Sequence, residues 1–140
     1  MSFLLDANIV SDLVRHPRTG RVARRIAERG IEHLLCTSII VAGELRYGAR
    51  KRASPRLTRQ VEAVLGSLEV LPFDVPADAV YGKLRADLER RGQPIGANDL
   101  LIAAHALALG HTLVTDNERE FTRIAELPRE NWLTTKNEPA

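Results

Sequence analysis

Cysteine, methionine and aromatic residues are all scarce in this chain of 140 residues. Cys36 is the only cysteine, and Phe, Trp and Tyr together make up 4% of the residues. A single cysteine excludes an internal disulfide and a cysteine-based zinc cage. Because Cys36 follows Leu34 and Leu35, we expect its thiol to be a small buried apolar group and not a reactive nucleophile.

Long apolar runs are also missing. The longest extends from Leu100 to Leu109 and is interrupted by His105, whereas a membrane-spanning helix needs about 20 apolar residues. A signal peptide is not expected, because Asp6 breaks the first apolar run and no small-residue cleavage site follows it. We therefore expect a soluble, cytoplasmic protein without membrane contact. It should form one domain over residues 1–133, with a frayed tail over residues 134–140.

The formal net charge is only +2, but the charges are unevenly distributed. Residues 1–60 contain twelve basic and five acidic residues, whereas residues 61–140 contain eight basic and thirteen acidic residues. Most of the basic residues are arginine, whose forked guanidinium matches phosphate and carboxylate groups. The basic first half indicates either a surface for nucleic acid or an acidic partner, or ordinary solvated helix faces.

The spacing of apolar and turn residues predicts strands that alternate with helices. Strands are predicted at residues 3–5, 34–37, 70–73, 112–115 and 132–133. Helices are predicted at residues 9–15, 21–28, 39–49, 57–68, 76–88, 99–109 and 118–124, with Ser38 and Asn98 as N-caps. This alternation predicts a three-layer α/β/α sandwich with a mainly parallel sheet. In such sheets, ligands bind beyond the carboxyl ends of the strands.

Four carboxylates lie beside apolar segments instead of on solvated faces. Asp6 and Asp116 each follow a predicted strand, Asp99 begins the most apolar helix, and Glu44 lies within an apolar helix. If they converge, their mutual repulsion raises their pKa values or requires a cation. A set of oxygen ligands without cysteine points to a hard cation, Mg²⁺ or Mn²⁺.

Each carboxylate also has a purely structural interpretation. The three aspartates could cap helices or favour helix dipoles, and Glu44 could pair with Arg46 or Arg50. Asp74 and His105 are expected to be structural. Asp12 and Glu120 lie about one helical turn beyond site candidates; we expect surface positions for both, with support of the site ligands as the alternative. His105 in particular lies on a buried helix and is expected to be a hydrogen-bonded core residue.

Four segments resemble the motifs of PIN-domain proteins. They are Phe3–Ile9 (FLLDANI), Gly43–Gly48 (GELRYG), Ile95–Ala106 (IGANDLLIAAHA) and Leu113–Phe121 (LVTDNEREF). Their order and the chain length resemble the VapC-type toxins of bacterial toxin–antitoxin pairs, over residues 3–133. Ala97 departs from the pattern, because many relatives have proline there.

The resemblance implies a Mg²⁺-dependent endoribonuclease that a cognate antitoxin holds inactive, and a homodimer. Asp6 and Asp99 would be direct metal ligands, Asp116 would bind directly or through water, and Glu44 would orient a metal-bound water. Asn8 and Thr115 would be polar support beside the site. Because an acidic centre alone repels RNA, basic residues are expected to hold its backbone, and the candidates are Arg46, Arg50 and Arg52.

Two other classes of protein compete with this interpretation. A catalytically silent PIN-like module would act only through an antitoxin-like protein partner, but the four retained acids argue against it. A receiver-like signalling domain requires an acidic pair after the first strand and a lysine after the last, and Asp6 stands alone here. An aspartate-nucleophile phosphatase requires a second aspartate at the position of Asn8.

Overall fold

The computed structural model describes residues 2–134 and contains a five-stranded sheet. Its strands are β1 (Phe3–Leu5), β2 (Leu35–Ser38), β3 (Glu69–Leu71), β4 (Thr112–Val114) and β5 (Arg129–Glu130). The spatial order is β3-β2-β1-β4-β5, and every neighbouring pair is parallel. Leu5 lies opposite Thr37 on one side and Val114 on the other. The residues that follow these three therefore meet at one edge, the carboxyl edge of the sheet.

Seven α-helices connect the strands. They are α1 (Ala7–Arg15), α2 (Arg21–Arg29), α3 (Ile39–Lys51), α4 (Pro55–Ser67), α5 (Ala77–Arg90), α6 (Ala97–Leu109) and α7 (Glu118–Phe121). A short 3₁₀ turn at Glu32–Leu34 precedes β2. Within residues 2–134, no helix has both the length and the apolar character needed to cross a membrane.

Capping residues set the ends of several helices as the sequence predicts. The side chain of Ser38 accepts the N–H of Ile40 at 3.0 Å and so caps α3. Ser54 caps α4 in the same way. Gly30 ends α2 with φ +62°, a left-handed conformation that favours glycine because other residues carry a Cβ.

The core lies on both faces of the sheet, which confirms the predicted three-layer sandwich. Leu4, Leu5 and Leu113 on the central strands are 0% exposed, so apolar helix faces must cover both sides of these strands. The apolar stripes of α2 and α4 also belong to this core, since Val22, Ile26, Val61 and Leu65 are all buried. Cys36 is buried too, and burial raises the pKa of its thiol to about 11. The predicted burial of Cys36 is therefore confirmed.

The prediction of a strand at Trp132–Leu133 was wrong. The last strand lies at Arg129–Glu130, beside β4, where the Thr115 N–H donates to the Glu130 carbonyl at 3.0 Å. Trp132 is fully buried, with its ring 5.3 Å from that of Phe3. Trp132 is apolar because it packs in the core, and the adjacent apolar pair Trp132–Leu133 resembles a short buried strand in the sequence.

Two helix predictions also need correction. Helix α6 begins at Ala97 after Gly96, so Asn98 lies inside the first turn and is not the cap. Helix α7 ends at Phe121 instead of residue 124, and tight turns follow, in which the Ile124 N–H donates to the Phe121 carbonyl. Only Thr134 of the predicted tail belongs to the described residues; residues 135–140 lie outside them.

Candidate active site

Asp6 lies at the carboxyl edge directly after the central strand β1. It is 3% exposed, and its carboxylate accepts hydrogen bonds from the Ala7 N–H at 2.8 Å and the Thr115 hydroxyl at 2.7 Å. Burial raises the pKa of Asp6, and the charge of Asp116 adds to this, while the two hydrogen bonds act in the opposite direction. Asp6 therefore caps α1. It also places at the edge of the sheet a carboxylate whose charged form is disfavoured by burial.

Asp99 lies in the first turn of α6 and shares a proton with Glu120. Its pKa is raised to about 7, first by burial, then by the hydrogen bond to Glu120 and the charges of Asp6, Glu120 and Glu44. The pKa of Glu120 is lowered, chiefly by the same hydrogen bond, and its carboxylate also accepts the Gly96 N–H at 3.2 Å. The proton therefore resides on Asp99, the more buried partner.

Glu44 reaches the same group of carboxylates from the middle of α3. Burial raises its pKa and the charge of Asp6 adds to this, while a hydrogen bond to Asn98 acts in the opposite direction. Its Oε1 is buried and has no hydrogen-bond partner among residues 2–134. The suggested pairing with Arg46 is not formed, because Arg46 contacts Glu62 at 2.9 and 3.0 Å.

Asp116 occupies the rim of the site and not its centre. It is exposed, and its carboxylate accepts a hydrogen bond from the Asn8 side-chain amide. It is still near enough for its charge to raise the pKa of Asp6. The structure thus brings Asp6, Glu44 and Asp99 together and places Asp116 at the opening beside Asn8.

Three polar residues of the site are not among the predicted site residues, although support of the site ligands was the alternative interpretation of Glu120. Asn117 donates its side-chain amide to Asp99 at 3.1 Å, and its backbone N–H donates to the Thr115 hydroxyl at 3.0 Å. Asn98 had been assigned to a helix cap and Glu120 to the surface. The Thr-x-Asn spacing is a usable signal for Asn117, because a threonine hydroxyl commonly accepts the N–H two residues later and turns the chain.

The residues predicted to be structural lie away from this cluster. Asp12 accepts the Val22 N–H at 3.4 Å near the start of α2, and Asp74 accepts the N–H of the next residue in the turn before α5. His105 is buried and hydrogen-bonded to Ser38, as expected of a core histidine.

The negative charge of the cluster is not neutralised by protein cations. The groups that shift the pKa values of Asp6, Glu44 and Asp99 include no arginine or lysine among residues 2–134; their hydrogen-bond donors are neutral amides, hydroxyls and backbone N–H groups. Carboxylate and amide oxygens are the donor set of a hard divalent cation. Over the same residues, no three histidine, cysteine, aspartate or glutamate side chains have the arrangement of a metal site. The residues therefore fit a cation by the chemistry of their oxygen atoms and not by their present arrangement.

The three candidate arginines differ in their surroundings. Arg46 is engaged by Glu62, whereas Arg50 and Arg52 form no ion pair within the described residues. Arg52 lines a groove of about 310 Å³ between α1, α3 and α4 that also contains Arg15 and Glu44. Arg46 and Arg50 line a separate groove between α3 and α4. Arg52 thus shares a groove with Glu44, a carboxylate of the cluster.

Comparison with known proteins gives consistent matches along the chain. The model of the PIN domain matches residues 3–127. Ribonuclease VapC2 of Rickettsia felis is 38% identical over 134 residues, which cover 94% of this chain and 98% of the relative. The tRNA(fMet)-specific endonuclease VapC of Shigella flexneri is 35% identical over 133 residues, with 94% and 98% coverage.

The chain also matches solved VapBC structures along almost its whole length. The structure of VapBC2 from Rickettsia felis bound to a DNA fragment from their promoter matches with a TM-score of 0.84 and 35% identity, over 94% of this chain and 99% of that chain. VapBC-1 from nontypeable Haemophilus influenzae matches with a TM-score of 0.80 and 35% identity, over 96% and 100%.

Proposed function

The chain belongs to the PIN-domain family and, within it, to the VapC ribonucleases, and from this membership we propose that it is a divalent-metal-dependent endoribonuclease. It hydrolyses phosphodiester bonds of RNA and acts in the cytoplasm as the toxin of a toxin–antitoxin pair. Mg²⁺ is the proposed ion, and Mn²⁺ has similar ligand preferences.

One observation carries this proposal: three carboxylates converge at the carboxyl edge without a compensating cation from the described residues. Burial raises the pKa values of Asp6, Glu44 and Asp99; the charge of Asp6 adds to the shifts of Glu44 and Asp99, and the charge of Asp116 adds to that of Asp6. Buried carboxylates with raised pKa values are unfavourable in their charged form, and such groups are typical of functional sites. A bound divalent cation would remove this unfavourable free energy. The acidic set also argues against a purely protein-binding module, which would gain nothing from it.

Asp6 and Asp99 are the proposed direct ligands, and Asp116 at the rim is proposed to bind directly or through water. A bound divalent cation would supply positive charge against the phosphate oxygens and lower the pKa of water. Glu44 is proposed to orient a metal-bound water, which its Oε1 could accept as a hydrogen-bond donor; this atom is buried and has no partner among residues 2–134. Asn8 and Thr115 hold Asp116 and Asp6 through their hydrogen bonds.

RNA must approach an acidic centre, so basic side chains are needed beside it. Arg52 is the strongest candidate of the three arginines, since it lines the groove that contains Glu44. Arg50 is proposed to hold a part of the RNA backbone farther from the carboxylate cluster, because it lines the separate groove between α3 and α4. Arg46 could do so only by giving up its two contacts with Glu62.

A cognate antitoxin and a second copy of the chain are the proposed protein partners. The likeness to VapBC2 of Rickettsia felis and VapBC-1 of Haemophilus influenzae supports the antitoxin, because VapBC is a family of toxin–antitoxin systems. Light scattering of the purified chain tests the homodimer: a mass of two chains supports it, and a strict monomer at high concentration contradicts it.

The test of the function is RNA cleavage by the chain freed of any antitoxin. Wild type, Asp6→Asn, Asp99→Asn and the control Asp74→Asn are incubated with total bacterial RNA in Mg²⁺ or EDTA, and the new 5′ ends are mapped. We expect discrete cuts by wild type and Asp74→Asn that require Mg²⁺ and disappear in the other two variants. Cleavage that persists in EDTA would contradict the metal, and identical behaviour of all four proteins would favour the silent module.

A further inference from the structure

A buried histidine and a buried serine connect the two helices that carry Glu44 and Asp99. His105 lies on α6 and is 1% exposed, and Ser38 immediately precedes α3 and is 0% exposed. Nδ1 of His105 lies 2.9 Å from Oγ of Ser38. Neither residue belongs to the carboxylate cluster, and the proposed chemistry does not use them.

This hydrogen bond and a second one, between Asn98 and Glu44, both join α6 to α3 or to its N-cap. Asn98 and His105 are seven residues apart, which is about two helical turns or roughly 10 Å along one face of α6. Asn98 hydrogen-bonds Glu44 at the site, and His105 contacts Ser38 below it. Two contacts on one face restrict both the sliding and the rotation of α6 against α3.

The Ser38 hydroxyl serves both helices. Its Oγ accepts the Ile40 N–H at 3.0 Å and is hydrogen-bonded to Nδ1 of His105 at 2.9 Å, with donor and acceptor set by the tautomer of the ring. Nε2 of His105 is buried and has no hydrogen-bond partner among residues 2–134. The ring of Phe73 lies edge-on at 5.3 Å and restricts the imidazole further.

We propose that His105 and Ser38 are positioning residues whose hydrogen bond fixes α6 against α3 and thereby sets the distance between Asp99 and Glu44. The inference rests on the proposed function, because the pair has this task only if the carboxylates hold a cation. It assigns a role in metal affinity to two residues that would not touch the metal.

The test compares Ser38→Ala with Ser54→Ala in the metal-free, full-length chain. Both changes remove a serine that caps a helix, since Ser54 accepts the Leu57 N–H at 3.1 Å, but only Ser38 contacts His105. We expect Ser38→Ala to weaken Mn²⁺ binding about three- to tenfold. This is less than the loss of about 10- to 100-fold that is usual when a residue hydrogen-bonded directly to a metal ligand is removed. Ser54→Ala should leave Mn²⁺ binding unchanged, although both changes lower the melting temperature.

Variants of His105 separate positioning from general stability. His105→Phe should weaken Mn²⁺ binding as much as Ser38→Ala, and the double variant should lose no more than either single one. His105→Asn retains a polar atom near the place of Nδ1 and should restore part of the affinity. Equal losses in the two serine variants, or fully additive losses in the double variant, would overturn the inference.

A second measurement needs no metal. The NMR signals of the Asn98 side-chain amide should move in Ser38→Ala and His105→Phe but not in Ser54→Ala; unmoved signals in the first two would overturn the inference. If wild type binds no Mn²⁺, the metal-dependent function fails, and these signals still decide whether the pair positions α6. If Mn²⁺ binding behaves as expected but wild type cleaves no RNA, only the ribonuclease proposal fails.

Discussion

Replacing Asp99 by asparagine should stabilise the metal-free protein at neutral pH and remove its response to Mg²⁺. The introduced amide has nearly the shape of the carboxyl group. It can donate to Glu120, and its carbonyl can accept the amide of Asn117, so the hydrogen bonds to Asp99 are preserved. The change therefore removes a negative charge and leaves the packing intact.

The magnitude follows from the pKa of Asp99, which is raised from 3.8 to about 7 by burial, the hydrogen bond to Glu120 and nearby carboxylates. The folded state binds this proton more tightly than the unfolded state, so stability is lost as the pH rises from about 4 to about 7. A fully buried group would lose about 4 kcal/mol over this range. Because Asp99 is half-buried and water screens the repulsion, we expect about 1–2 kcal/mol.

Glu120 does not disturb this expectation. Its pKa is lowered by the hydrogen bond with Asp99, so it contributes stability that is complete above its ordinary pKa of 4.5 and is lost only at lower pH. The pKa values of Asp6 and Glu44 are raised as well, so these groups also lose stability as the pH rises. The difference between Asp99→Asn and wild type therefore isolates the contribution of Asp99.

The assay is urea unfolding in EDTA and in millimolar Mg²⁺ across this pH range, with Asp74→Asn as the control. In EDTA at about pH 8, Asp99→Asn should exceed wild type by about 1–2 kcal/mol, and the difference should vanish near pH 4. Mg²⁺ should stabilise wild type and Asp74→Asn but not Asp99→Asn. An Asp99→Asn variant less stable than wild type at pH 8 in EDTA would refute the reasoning.

Three further predictions test the site, the groove and the core. Asn117→Ala should weaken Mg²⁺-dependent cleavage about 10- to 100-fold because Asp99 loses its amide partner; an unchanged rate across a Mg²⁺ series contradicts this. Arg52→Glu should weaken RNA binding and reduce its salt dependence, whereas Lys83→Glu on α5 should not, as filter binding would show. Trp132→Ala should lower the free energy of unfolding by about 3–5 kcal/mol in urea, since the side chain is fully buried; a loss near zero contradicts the packing.

The fold was largely predictable because hydrophobic periodicity and capping residues act locally. Ser38 begins α3 as an N-cap, and Gly30 ends α2 in a left-handed conformation, as the chemistry of these residues predicts. The true conformation of Trp132–Leu133, which is not a strand, was not predictable in this way, because the burial of Trp132 depends on a distant contact with Phe3. Backbone pairing of Arg129–Glu130 with β4 leaves no apolar signature in the sequence.

The sequence predicts which carboxylates belong to the candidate site better than it predicts the directions of their side chains. Asp6 and Asp99 follow from their places at a strand end and a helix start. Whether Asp116 or Asn117 turns toward Asp99 depends on the local chain direction after β4, which the hydrogen bond from the Asn117 N–H to Thr115 determines. Glu120 lies on a short, exposed helix, and only the folded chain brings it to Asp99.

The central claim is that Asp6, Glu44 and Asp99 form a metal site, and calorimetric titration of Mn²⁺ into the metal-free chain tests it most directly. Wild type and Asp74→Asn should show saturable binding, and Asp6→Asn should show none, because the amide removes one negative ligand from the cluster. Equal binding by all three proteins, or no binding by wild type, would contradict the claim.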